Sequence, residues 1–250
     1  MAKLYVVGIG PGSREHMTFK AVDVIKKSKA IVGYTPYIDY LEELTDGKEI
    51  YSTGMKGEVE RCKKAITLVK EGKDTAIVST GDAGLYGMAG PILELSKEIE
   101  VEVIPGVTAA FSAASELGAP IMHDYACISL SDLLTPWDVI LKRIEKSAEA
   151  DFVIQIYNPR SKGRKDHLET VVEIISKYRE PSTPVGIVKN SGRDGREITV
   201  TTLDSIDYEQ VDMLTVLIIG NTNTYVENGK IITPRGYKIC LLYTSPSPRD

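Results

Sequence analysis

The chain has 250 residues, 42% of them hydrophobic and 26% charged, with a formal net charge of −5. That length suits one large domain or two small ones, and the composition excludes a disordered or fibrous chain. The acidic balance argues against a dedicated duplex-DNA binder, so no nucleic-acid partner is expected. Taken in order, residues 4–8 read as a strand. Ser13 reads as the cap of a helix that puts Met17, Ala21, Val24 and Ile25 on one face. A short strand at 31–33 and a helix over 36–44 follow. Val59, Cys62, Ile66 and Val69 recur at helical spacing, which predicts an amphipathic helix over 58–70 and makes Cys62 a core residue. Residues 75–79 form a buried strand, followed by a glycine-rich loop, a helix over about 87–97 and an alternating strand over 100–104.

Residues 107–118 carry Ala and Ser around all faces, as suits a helix packed closely on other backbone. Gly118-Ala119-Pro120 breaks the pattern and is the expected domain boundary. Strands are predicted over 125–130, 152–157, 185–188, 197–202 and 214–219, with helices over 138–148 and 167–177. The strands after Val188 are joined by short polar turns, so this second sheet should be partly antiparallel. The fold class is α/β, with an N-terminal parallel-sheet domain over 1–119 and a C-terminal mixed-sheet domain over 120–239. Residues 240–250, with two Ser-Pro pairs, read as an unstructured tail or a processing artefact.

No apolar run approaches the ~20 residues that cross a bilayer, and the start reads as a strand rather than a signal peptide. No membrane partner is expected, and a cytoplasmic location is. Cys62, Cys127 and Cys240 contain no C-x-x-C, and His16, His123 and His167 never fall at H-x-x-x-H spacing. Neither a disulfide framework nor a sequence-local metal site is expected.

Three glycine turns each follow a strand of the first sheet. Gly8-Ile9-Gly10-Pro11-Gly12-Ser13 lacks the third glycine of a dinucleotide fingerprint, and no acid closes the next strand. The stretch from Ser79 to Pro91 sets four glycines and Asp82 at a strand's carboxyl end, where open α/β sheets bind ligands. Asp82 can accept hydrogen bonds from a ligand, or cap the next turn. Ile104-Pro105-Gly106-Val107-Thr108-Ala109 is the third turn, with Thr108 a helix cap or a ligand contact. Turns after strands of one parallel sheet converge at one edge.

These motifs in this order resemble the tetrapyrrole (corrin/porphyrin) methyltransferases over residues 3–239. Gly81-Asp82-Ala83 departs from that family's usual Gly-Asp-Pro and points to one branch. The stretches GDAGLYGMAG, MHDYACISLSDLLTPW and IYNPRSKG, beginning at Gly81, Met122 and Ile156, resemble C17-methyltransferases of cobalamin synthesis. Those enzymes methylate precorrin-3B or cobalt-factor III and contract the ring. The resemblance implies a homodimer with a corrin-precursor substrate and S-adenosylmethionine held between the domains. It also implies cofactor contacts from Ile9, Gly81, Asp82, Leu85, Thr108 and Ala109, and from Tyr157, Asn190, Ser191, Leu214 and Thr215 of the second domain. An activated methyl needs positioning rather than a nucleophile. Ring contraction also needs proton movement, for which His123, Asp124, Ser129, Ser131 and Asp132 are the polar candidates of the branch-specific stretch. Ser131 and Asp132 can equally cap a turn, and His123 can orient a loop. The substrate is a polyanion, so Arg160 and Arg164 in the basic stretch after residue 157, with Arg14, are the expected carboxylate contacts. The alternative for that stretch is a solvated helix start. Competing activities are another tetrapyrrole or diphthine-type methyltransferase, or a nucleotide-binding sensory module.

Overall fold

The computed structural model describes residues 2–161 and 163–237, so the tail expected over 240–250 lies outside the described residues. The first sheet contains β1 (Leu4–Gly8), β2 (Ala30–Tyr34), β3 (Glu49–Thr53), β4 (Thr75–Ser79) and β5 (Val101–Ile104). Its order is β3-β2-β4-β1-β5 and every pairing is parallel. The central strand β4 is buried along its whole length, as a strand covered on both faces must be. Helices α1 (Phe19–Lys27), α2 (Thr35–Asp39), α3 (Glu58–Lys70) and α4 (Ala89–Leu95) connect the strands. Cys62, Ala65 and Leu68 of α3 and Ile92 of α4 pack with Val6 and Ile77 on one face. Ala21, Val24 and Ile25 of α1 pack with Val7 and Val78 on the other.

Three local expectations change. A short 3-10 turn, Arg14–His16, separates Ser13 from α1, whose cap is Thr18, accepting from the Ala21 amide at 3.1 Å. Ser13 instead bonds His16 Nδ1 at 2.6 Å. The helix expected over 36–44 is two pieces, α2 and the 3-10 turn Glu42–Thr45, because Glu42 takes a left-handed φ of 48°. The edge strand β3 was not expected.

After β5 the chain crosses to the second sheet. α5 (Ala109–Leu117) buries Ala110, Ala113, Ala114 and Leu117 against Val153, Val188, Val216 and Ile218. The small residues let helix and sheet approach closely. A Cβ at Gly186 would lie 2.3 Å from Leu117 Cδ1, so glycine leaves room for the Leu117 side chain under the helix. The change of sheet thus falls at residues 105–108, upstream of Gly118-Ala119-Pro120, where β6 (Gly118–Ala119) begins.

The second sheet contains β7 (Tyr125–Ser129), β8 (Val153–Tyr157), β9 (Pro184–Lys189), β10 (Glu197–Thr202) and β11 (Thr215–Ile219), in the order β10-β9-β11-β8-β7. β7 and β8 are parallel and the other pairings antiparallel, so the sheet is mixed as the short turns implied. α6 (Trp137–Glu149) and α7 (His167–Ile175) cover the face opposite α5. β12 (Tyr225–Glu227) and β13 (Lys230–Ile232) join β6 in a small third sheet. Among the described residues, no helix is long and apolar enough to cross a membrane.

Candidate functional site: a cleft between two sheet edges

The three glycine turns converge because β4, β1 and β5 are neighbours in a parallel sheet. Gly10 and Gly81 exchange backbone hydrogen bonds at 3.1 and 2.7 Å. Gly106 lies so close that a Cβ there would sit 2.2 Å from the Gly81 carbonyl oxygen. Asp82 ties two turns together. Its Oδ1 accepts from the Gly84 amide at 2.8 Å and its Oδ2 from the Gly106 amide at 2.9 Å. Ile9 is fully buried beneath this edge, Leu85 is partly buried, and Thr108 and Ala109 stand where α5 begins.

The second sheet meets this edge through Tyr157, the last residue of β8. Its hydroxyl accepts from the Ala110 amide at 2.8 Å and pairs with Thr108 Oγ1. Burial raises the Tyr157 pKa, the Thr108 hydrogen bond opposing it. Tyr86 packs edge-on against Tyr157 with ring centroids 5.5 Å apart and donates to the Cys127 carbonyl at 3.2 Å. Burial pushes Tyr86 up to about 12 and Cys127 up to about 11, so both keep their protons near neutrality. A further link runs from Arg193 Nε to the Pro11 carbonyl at 2.6 Å, with the guanidinium over the Tyr40 ring. Ser191 is buried and bonds Ser112 of α5 at 2.7 Å. Asn190, Leu214 and Thr215 share that edge of the second sheet. The Asn190 amide donates to the Leu214 carbonyl at 3.1 Å, and the Thr215 hydroxyl donates to Asp212 at 3.1 Å.

Beside these contacts opens a cleft of about 610 Å³. Tyr34, Thr80 and Tyr86 line it from the first sheet, and Ser131, Asp132, Asn158 and Arg164 from the second. Asn158 takes a left-handed φ of 50° after β8 and donates to Ser129 Oγ at 2.9 Å, which also accepts from the Ser131 amide at 3.2 Å. Arg164 is anchored by Ser161 Oγ at 3.1 Å, and its Nη1 is buried without a hydrogen-bond acceptor.

The other expected residues lie apart from this wall. His123 and Asp124 precede β7 and Ser131 follows it, so they stand beyond opposite ends of a five-residue strand that is itself about 17 Å long at ~3.3 Å per residue. Arg160 turns away from the cleft, donating to the Tyr208 carbonyl and to Glu209 at 2.6 Å. Arg14 is paired with Glu43. Two features escaped the sequence reading: the left-handed Asn158 and the approach of His167 to Asp132 at 3.3 Å. An asparagine directly after a buried strand was the available signal for the first. The second joins residues 35 positions apart.

The profile of the tetrapyrrole (corrin/porphyrin) methylases matches residues 3–207. The chain is 50% identical over 240 residues to a Salmonella typhimurium protein named "Probable cobalt-factor III C(17)-methyltransferase", covering 94% of this chain and 100% of that protein. It is 37% identical over 246 residues to the "Precorrin-3B C(17)-methyltransferase" of Sinorhizobium sp, covering 94% and 96% of the two chains. The crystal structure of the methyltransferase CobJ matches with a TM-score of 0.89 at 31% identity, covering 94% of this chain and 100% of that one.

Proposed function

This chain belongs to the tetrapyrrole (corrin/porphyrin) methylases, and from that premise we propose that it methylates C17 of a corrin precursor, with contraction of the ring, using S-adenosylmethionine. The observation that carries the reading is the meeting of three glycine turns with Tyr86 and Tyr157 beside a cleft of about 610 Å³. Bound there, the cofactor would supply an activated methyl on a sulfonium. The loop after β4 has room for it: a Cβ at Gly84 would meet only Asp82 Oδ1, at 3.2 Å. Thr108 and Ala109 would offer backbone groups, while Gly81 and Asp82 keep the turns in register. Tyr157 fixes the start of α5, so the wall is set before the ligands arrive, and orientation is what methyl transfer chiefly asks of a protein.

The cobalt-containing substrate is the favoured one, because identity is 50% to the cobalt-factor III relative and 37% to the precorrin-3B relative. Arg164 would meet one of the substrate's carboxylates, since it lines the cleft. The test is anaerobic incubation with S-adenosylmethionine and cobalt-factor III, with precorrin-3B in parallel, followed by mass analysis. Gain of one methyl with cobalt-factor III is the expected result, and no gain with either substrate would overturn the reading. We further propose a homodimer in a cytoplasmic setting. Phe111 and Tyr125 support an association surface, being exposed and stacked edge-on at 5.9 Å. Sedimentation showing only a 27.4 kDa species would count against it.

A further inference from the structure

Methyl transfer to carbon leaves a proton to be placed. The substrate carbon gives an electron pair to the methyl, the pair of the broken C–S bond stays on sulfur, and the product keeps an extra positive charge unless a proton departs. A positioned side chain in the cleft can take that proton as it leaves. We propose that Asp132 is this acceptor, a catalytic base on the second-domain wall, and that His167 is the positioning residue that holds it. The inference rests on the methyltransferase reading above.

Two carboxylates line the cleft among the described residues, Glu58 and Asp132. Glu58 sits at the first-domain rim, half-exposed and paired with the buried Arg61 at 3.3 Å. Of the cleft tyrosines, Tyr34 and Tyr37 pack edge-on against each other at the first-domain side, and Tyr86 stays protonated and already donates to Cys127; Lys56, Arg61 and Arg164 are basic side chains. Asp132 is left. It stands between an imidazole and a guanidinium: His167 Nε2, at the start of α7, lies 3.3 Å from Oδ2, and Arg164 Nη1 lies 3.8 Å from Oδ1.

The two oxygens therefore differ. Oδ2 is held by an imidazole whose ring lies against Trp137, with centroids 4.0 Å apart, so its direction is fixed by packing of the α6 and α7 starts. Oδ1 has a neighbour too distant for a hydrogen bond and keeps a lone pair for a substrate proton. His167 does not line the cleft, so it acts through Asp132. Burial works to raise the Asp132 pKa, but hydrogen bonds from His167 and from the backbone, together with the Arg164 charge, more than offset it, and the carboxyl ends below its ordinary value. It is ionised at neutral pH, the form that takes up a proton. On transfer the proton would go from the substrate to Oδ1, leaving a neutral carboxylic acid beside Arg164.

The experiment uses the full chain with S-adenosylmethionine and cobalt-factor III under anaerobic conditions. Asp132→Asn should lower kcat by about 10²-fold or more, the usual scale of general-base catalysis. KM for cobalt-factor III and the Kd for S-adenosylhomocysteine should stay unchanged, and Asp132→Glu should recover part of the rate. His167→Phe keeps the stack on Trp137 but removes the donor, so the acid limb of the kcat/KM profile should move to higher pH. Wild-type kcat in Asp132→Asn, parallel loss of S-adenosylhomocysteine affinity, or an unmoved profile in His167→Phe would each overturn the inference. If the wild-type chain methylates neither substrate, the functional reading fails and takes the inference with it.

Discussion

Tyr157 fixes the start of α5 with one oxygen. Its hydroxyl serves the Ala110 amide and the Thr108 hydroxyl at once, at the first turn of a helix whose early amides otherwise lack partners. Tyr157→Phe should cost about 0.5–1.5 kcal/mol of hydrogen bonding, which becomes roughly a threefold to tenfold weaker S-adenosylhomocysteine affinity by calorimetry. Unchanged affinity would detach Tyr157 from the cofactor's wall. The two arginines of the basic stretch should also part company. Arg164→Gln should raise KM for the corrin precursor without touching S-adenosylhomocysteine affinity. Arg160→Gln should leave KM alone, since that guanidinium is occupied by Tyr208 and Glu209. Steady-state kinetics on both variants decides it, and equal effects would remove the distinction. The sequence presented these residues as one cluster because Glu209 lies 49 positions from Arg160, beyond any local pattern. The same blindness set His123 beside Ser131 as candidates, although a strand stands between them.

Elements were far more legible than contacts. The helix α3 and the strands β4 and β10 fall where periodicity and burial pattern put them, because each carries an unbroken signal of its own. β3 stayed hidden because Glu-Ile-Tyr-Ser-Thr is an edge strand with much of its length exposed, and neither alternation nor a buried run marks it. β12 and β13 are three residues each, too short to show a period. The glycine turns were readable as turns, and their convergence followed from parallel strands. What could not be read was Asp82 spending both oxygens on Gly84 and Gly106, since that depends on how near β5 comes. One anchor lies far from the site. Arg179, almost wholly buried, donates to the Ala148 carbonyl at 2.8 Å and the Phe152 carbonyl at 3.2 Å and pairs with Asp151 at 3.1 Å. Arg179→Met takes a donor from each carbonyl, while Asp151 keeps its hydrogen bonds from Thr222, and should lower unfolding free energy by about 1–3 kcal/mol. Urea denaturation measures it, and a loss within error of zero would mean that water replaces the guanidinium.

At the scale of the whole molecule, the two halves are fastened at two separate points: Tyr86 reaches Cys127, and Arg193 reaches Pro11. Calorimetric unfolding should therefore show one transition rather than two, shifted upward by S-adenosylhomocysteine as ligand binding to the folded state requires. Two resolved transitions would mean that these fastenings are weak against the cores they join. The crossing of α5 matters more widely. It follows β5 in the chain yet lends Ala110, Ala113, Ala114 and Leu117 to the core of the other sheet. A chimera with a relative, spliced after Ala119, would put a foreign helix on a native sheet and over the hollow that Gly186 leaves for Leu117. Spliced at residues 105–108, each parent would keep its own helix on its own sheet. The inheritable unit in this protein begins where the backbone changes partners, ahead of the place where the turn residues announce a break.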